Sequence, residues 1–212
     1  MDIKGTTRVC GLIGNPVGHS ISPVIHNTLA DITKTNMVYT TFKVDKEDVA
    51  KAVEGAYALD ILGLNVTVPH KQSVMDVLVD IDPLAKAIGA VNTLVRKDGG
   101  YKGYNTDILG LKRELEDESI SLCGNNCIII GAGGAARAIA FLCAQSGANK
   151  VHMFKCLIFR INNDVGSFYI YIFSLLHKCM YLILEITTLK KWSCRIFSQS
   201  SAQLVLRCLK IN

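Results

Sequence analysis

The chain has 212 residues, half of them hydrophobic, with 23 Lys+Arg against 18 Asp+Glu and a formal charge of +5. That apolar fraction supplies a core and excludes a disordered chain. The positive surplus is confined to the end, because residues 1–154 carry 15 bases and 16 acids while 155–212 carry 8 bases and 2 acids, so nucleic acid is not an expected partner.

In chain order, Arg8–Gly14 is a short apolar run that ends in glycine, as a buried strand does. Asn15–Ser22 is a Gly/Pro/Ser loop. Ser22-Pro23 opens a helix, with Ser at the cap and Pro in the first turn. Met37–Val44 alternates as a strand. Lys46–Asp60 carries Val49, Val53, Ala56 and Tyr57 at helical spacing. Ile61–Val68 is the next strand and stops at Pro69. Helices are expected near His70–Val79 and Asp82–Ala90. Val91–Arg96 and Tyr101–Tyr104 flank a Gly99-Gly100 turn as a hairpin. Ile108–Glu118 is a polar-faced helix suited to bridging to a second domain. Cys127–Ile130 is a buried strand, followed by the glycine loop 131–137, a helix to about Gly147 and a strand at 150–154. Strands alternating with helices predict a mostly parallel α/β sheet, in one unit before residue 120 and another after it.

The composition changes at residue 154. Sixteen of the 17 glycines and all four prolines lie before it, and eight of the 15 aromatics lie after it. A 58-residue stretch with one glycine is poorly supplied with turns. The eight cysteines form no CxxC pair and no Cys/His cluster with zinc spacing, so they read as thiols in a reducing compartment, and no metal is expected. MDIKGTTRVCG has no apolar core of a secretory signal. Phe168–Ile186 is apolar but is interrupted by His177 and Lys178, which disfavours a membrane span.

Four segments carry chemistry. Gly131, Gly133 and Gly134 follow an apolar strand and open a helix, the arrangement that lets backbone N–H groups approach a pyrophosphate. The alternative is a tight strand–helix turn without a ligand. Arg137 is either a phosphate contact or a solvated side chain. Three polar loops end other strands: 15–22, 65–71, and Asn92 with 105–107. Ligands of open α/β sheets bind at such carboxyl ends. Ser20 and Ser22 suit a carboxylate near a helix start. Lys71 and Asp107 offer a cation and an anion for proton transfer. His19, His26 and His70 lack partner spacing and read as loop or helix packing residues.

The blocks 11–27 (GLIGNPVGHSISPVIHN), 65–71 (NVTVPHK), 88–93 (IGAVNT), 103–110 (GYNTDILG) and 131–138 (GAGGAARA) occur in the order of the shikimate dehydrogenase family, which residues 8–154 resemble. The resemblance implies a three-layer α/β substrate-binding domain over 1–105 and the start of a Rossmann domain over 106–154, facing each other across a cleft. It implies reversible, NADPH-dependent reduction of 3-dehydroshikimate to shikimate, in the cytoplasm or in the plastid of a plant-type bifunctional enzyme. Ser20 and Ser22 match the residues that hold the carboxylate. Asn65, Thr67, Asn92 and Asp107 match those that bind the hydroxyls. Lys71 and Asp107 match the catalytic pair. Gly131, Ala132, Gly133, Gly134 and Ala135 match the NADP pyrophosphate loop.

The resemblance stops after Phe154. The family's Asn-Arg-Thr turn, which reads the NADP 2′-phosphate, would fall on Lys155, Cys156 and Leu157. Arg160 has no supporting context, and Gln199 and Gln203 do not form the family's closing helix. The segment 155–212 is therefore expected to be a non-family tail on a truncated Rossmann sheet with an open apolar edge. The alternatives are a non-catalytic, gene-model-derived fragment that keeps only the substrate domain, a quinate/shikimate dehydrogenase, and a form tethered to a membrane through 168–186.

Overall fold

The structure is a computed structural model and describes residues 2–158, 169–174, 182–185 and 206–209, with side chains for 2–129 and 131–154. The chain divides into two compact units, Met1–Asp107 and Ile108–Asn212.

The first unit is built on six strands: β1 (Arg8–Gly14), β2 (Met37–Lys43), β3 (Gly63–Val66), β4 (Asp80–Ile81), β5 (Thr93–Lys97) and β6 (Gly100–Tyr104). Their order is β2-β1-β3-β5-β6-β4. β1 runs parallel to β2 and β3, whereas β5 is antiparallel to β3 and β6. The sheet is therefore mixed rather than mostly parallel. The Gly99-Gly100 turn has φ of +82° and +158° and is too short for a crossover, so β6 must return antiparallel.

Alternation along the strands sorts side chains to two faces. Ile13, Leu64, Val66, Leu94 and Tyr101 join Val49, Val53 and Ala56 of helix α2 (Val49–Ala58) in the main core, with Val74 and Ala85. Leu12 and Tyr39 point the other way and pack with Val17, Cys10 and Met37, on the side of helix α1 (Ser22–Thr33). Two packed faces make three layers. Val74, Val91 and Tyr101 are wholly excluded from solvent, and each such side chain stabilises the fold by about 1.5–3 kcal/mol.

Two local expectations are corrected. Ser22 is the first helical residue rather than the cap; Ile21 is the cap and makes no side-chain bond. Ser20 does the capping chemistry instead, because its Oγ accepts the Ser22 amide at 3.2 Å. The stretch 70–79 is not an α-helix but holds a single 3-10 turn, Ser73–Val77, after which Leu78 is extended. The chain must straighten there to lay β4 parallel to β6. Helix α3 (Pro83–Ile88) begins where Asp82 caps it, its Oδ1 accepting the Leu84 amide at 3.0 Å.

Helix α4 (Asp107–Asp117) begins at the last residue of the first unit, and buries Ile108 and Leu115. Strand β7 (Asn126–Ile130), helix α5 (Gly134–Gln145) and strand β8 (Lys150–Ile158) follow, with β7 and β8 parallel. Three further strands, β9 (Tyr169–Ser174), β10 (Leu182–Glu185) and β11 (Leu206–Leu209), complete the order β10-β9-β8-β7-β11. The open apolar edge expected of a truncated sheet is not seen at β7 or β8: β9 pairs with β8 and β11 with β7, each antiparallel. Among the described residues no helix is long and apolar enough to cross a membrane. The described parts of Phe168–Ile186 are strands β9 and β10, and its other residues, like Arg160, Gln199 and Gln203, lie outside the described residues.

Candidate active site

The site grows from loops at the carboxyl ends of β1, β3 and β6. These loops are laced by backbone bonds. The Asn15 amide donates to Val68 O (3.0 Å), Thr67 N to Ile13 O (3.0 Å) and Val91 N to Lys71 O (2.7 Å). Gly14 is required at this approach, since a Cβ there would collide with the Thr67 methyl.

Lys71 Nζ lies 2.7 Å from Asp107 Oδ2, with side chains 16% and 32% exposed. The other carboxylate oxygen, Oδ1, accepts Asn92 Nδ2 at 2.8 Å. Asn92 is buried, and its Oδ1 receives three donors: Thr93 Oγ1 (2.9 Å), Thr106 N (2.9 Å) and Thr106 Oγ1 (3.2 Å). Asn105 Oδ1 accepts the Asp107 amide at 3.1 Å, and Asn105 Nδ2 donates to Ala90 O at 3.0 Å. A cation and an anion are thus held at one point by a network whose donors and acceptors are matched.

The network continues outward. Asn65 Nδ2 lies 3.3 Å from Thr93 Oγ1 and 3.5 Å from Asn92 O. Asn65 Oδ1 accepts the Tyr39 hydroxyl at 2.7 Å. Burial pushes the Tyr39 phenol well above its ordinary value, with the Cys10 thiol adding to this. One hydrogen-bonded series therefore links Asn65, Asn92, Asp107 and Lys71. Ser20 and Ser22 form a separate pair with hydroxyls 3.1 Å apart, half-buried at the start of α1. Thr67 is half-buried beside Gly14.

Two residues matter here that the sequence reading left out, Tyr39 and Thr93. Their signal was a polar side chain on the inward face of a strand, at a position periodicity alone assigns to packing. His26 and His70 are packing residues, whereas His19 is exposed. His26 stacks on Tyr39 at 4.1 Å, and burial lowers its pKa. His70 is fully buried with Nε2 2.7 Å from Val44 O. Among the described residues no group of His, Cys, Asp and Glu is set to hold a metal.

In the second unit, Gly131 follows β7 with φ +128° and its amide donates to Phe154 O at 2.8 Å. Gly133 caps α5 without a side-chain bond. A Cβ at Gly131 or Gly133 would meet nothing within 4 Å, so there is room beside the N-terminus of α5. Gly131, Ala132, Gly134 and Ala135 are half-buried, and Gly133 and Arg137 are exposed. The loop fits a pyrophosphate. The 2′-phosphate turn does not form: 155–157 continue β8, with Lys155, Cys156 and Leu157 registered against Phe173, Ile172 and Tyr171.

The first unit is thus a three-layer α/β domain with a lysine–carboxylate pair set among amides and hydroxyls. The comparisons are more particular. Residues 12–94 match the family described as shikimate dehydrogenase substrate binding domain. A shikimate dehydrogenase (NADP(+)) of Desulforamulus reducens is 46% identical over 71% of this chain and 52% of its own length. One of Bacillus anthracis is 50% identical over 68% and 52%. A crystal structure of shikimate 5-dehydrogenase from Listeria monocytogenes, in complex with shikimate and NAD, superposes with a TM-score of 0.66 at 35% identity, over 73% of this chain and 54% of that one. Over its matched part the chain is similar to shikimate dehydrogenases. The chain spans about half the length of the curated relatives it matches.

Proposed function

We propose that the chain binds shikimate and 3-dehydroshikimate at the strand-end network, and that its residues are those of an NADP-dependent dehydrogenase acting on a CH–OH group. The observation that carries this reading is the 2.7 Å Lys71–Asp107 pair inside a network of amides and hydroxyls. Ser20 and Ser22 take the ring carboxylate. Asn65, Thr67, Asn92 and Asp107 take the ring hydroxyls.

The nicotinamide, when bound, supplies the hydride to the ketone carbon. Lys71 then gives its proton to the developing alkoxide, and its positive charge stabilises that oxygen before the transfer. Asp107 orients the ammonium. In the reverse direction neutral Lys71 takes the hydroxyl proton. Acid–base help of this kind contributes about 10²–10⁴-fold. Gly131 to Ala135 would hold the pyrophosphate, by backbone amides at the start of α5.

A second reading has its own observation. β8 runs on through Ile158, which replaces the turn that would read the 2′-phosphate. It favours a chain that binds the acid without turning it over. Domain limits of 1–105, 106–154 and 155–212 accompany both readings. A reducing compartment, cytoplasm or plastid, suits both.

Calorimetric titration of the full chain with shikimate and NADP⁺ separately, followed by an absorbance assay of NADP⁺ reduction, tests both. Shikimate binding with turnover supports the dehydrogenase. Shikimate binding without nucleotide binding supports the second reading. No shikimate binding defeats both.

A further inference from the structure

Tyr39 is 4% exposed and has been given no role in binding or proton transfer above. Its hydroxyl donates to Asn65 Oδ1 at 2.7 Å. The neighbours of Asn65 allow one orientation of its amide. Asn92 O, 3.5 Å from Nδ2, is a carbonyl and can only accept. Thr93 Oγ1, 3.3 Å from Nδ2, spends its proton on Asn92 Oδ1 at 2.9 Å, so toward Asn65 it can only accept as well. The NH₂ edge must face β5, the oxygen edge must face Tyr39, and the phenol must donate.

At 3.3 and 3.5 Å both bonds of Nδ2 are long, so a ligand oxygen at shorter range can take over one of these N–H groups. Tyr39 is itself fixed from α1. Asn27 accepts the Tyr39 amide at 2.8 Å and donates to its carbonyl at 2.9 Å, while His26 stacks on the ring at an interplanar angle of 10°. The helix that carries Ser22 therefore also sets the tyrosine that orients Asn65.

We infer that Tyr39 is a positioning residue that fixes the Asn65 amide as a hydrogen-bond donor to a ring hydroxyl of the substrate, and so selects hydroxylated ring acids. The inference rests on the shikimate reading above. Without the phenol proton the oxygen edge of Asn65 loses its donor, and the amide is free to turn. A site built to pair a ligand hydroxyl discriminates against acids that lack it, because its own polar groups are then left unpaired.

The test is Tyr39→Phe in the full chain, which keeps the ring and its stack on His26. Binding is measured for shikimate and for cyclohex-1-ene-1-carboxylate, which keeps the carboxylate and lacks the hydroxyls. Shikimate affinity is expected to fall about tenfold, the size of one buried hydrogen bond, with the deoxygenated acid unchanged. In an Asn65→Ala background Tyr39→Phe is expected to cost nothing more. Unchanged shikimate affinity, or equal loss for both acids, overturns the role of Tyr39 alone. A wild-type chain that binds neither acid overturns the shikimate reading and this inference with it. Should Tyr39→Phe fail to fold, NMR of the wild type decides: a slowly exchanging Tyr39 hydroxyl proton near Asn65 supports the inference, and a rapidly exchanging one overturns it.

Discussion

Lys71 and Asp107 are 36 residues apart in sequence and 2.7 Å apart at Nζ and Oδ2. The backbone puts them there twice over, since Val91 N bonds Lys71 O and the Asp107 amide bonds Asn105 Oδ1. The pair is half-shielded from water, which strengthens it relative to a surface ion pair and leaves it reachable by a ligand.

Lys71→Ala is expected to lower kcat for shikimate oxidation by about 10²–10⁴-fold, the contribution of positioned acid–base help. Shikimate affinity should largely survive, because Ser20, Ser22, Asn65, Thr67 and Asn92 remain. Asp107→Ala should lower kcat similarly. Steady-state kinetics set beside calorimetry separate the two effects, and a Lys71→Ala chain with normal turnover defeats the assignment.

Asn92 is the junction. It is 8% exposed and bonds Asp107, Thr106 and Thr93 through both ends of its amide. Asn92→Leu fills the volume but leaves the Thr106 amide and an Asp107 oxygen without their partner. A loss of about 1–3 kcal/mol in unfolding free energy is expected, the cost of stranding buried polar groups. Shikimate binding should fall with it. Urea denaturation and calorimetry on the same preparation check both, and an unaltered midpoint counts against the network.

How much of this was legible beforehand depended on what each residue answers to. β1 and the Gly99-Gly100 hairpin answer to local pattern, and the structure has them where periodicity and turn chemistry put them. β4 is two residues long and has no period to read. The 70–79 stretch carries apolar residues at helical spacing, yet the need to join β4 to β6 overrides it. Lys71 and Asp107 stood out as charges in loops that end strands. Tyr39 did not, because a tyrosine in a strand is ordinary until Asn65 is known to lie across the sheet. The three strands after residue 158 escaped for another reason: the composition there carries no turn signals to bound them.

Acid should destabilise the first unit partly through His26. Burial holds its pKa below the ordinary imidazole value of 6.5, so the unfolded chain binds the proton more readily than the folded one. The contribution is then fully present above that ordinary value and is lost as the pH falls through the folded value. His26→Phe keeps an aromatic ring against Tyr39 and removes the titration. Thermal unfolding at about pH 7.5 and about pH 5 should show a smaller loss of Tm for His26→Phe than for the wild type. Equal losses defeat the argument.

The nucleotide loop makes the last prediction. Gly131 holds φ +128° and opens onto free space, whereas the residues after Phe154 continue as a strand paired to β9. The loop has room for the pyrophosphate half of a dinucleotide, and the turn that would add a charged contact to the 2′-phosphate is replaced by strand. Such a contact is worth roughly 1.5–3 kcal/mol, or about tenfold and more in affinity. Without it NADP⁺ and NAD⁺ should bind within about threefold of one another. Gly131→Val should weaken both equally, since the strain of about 1–3 kcal/mol falls on backbone shared by the two. Competition titrations with both nucleotides check this. A tenfold preference for NADP⁺ would mean that a cation elsewhere in the chain reads the 2′-phosphate, and equal binding with the same loss in Gly131→Val locates all nucleotide recognition at the start of α5.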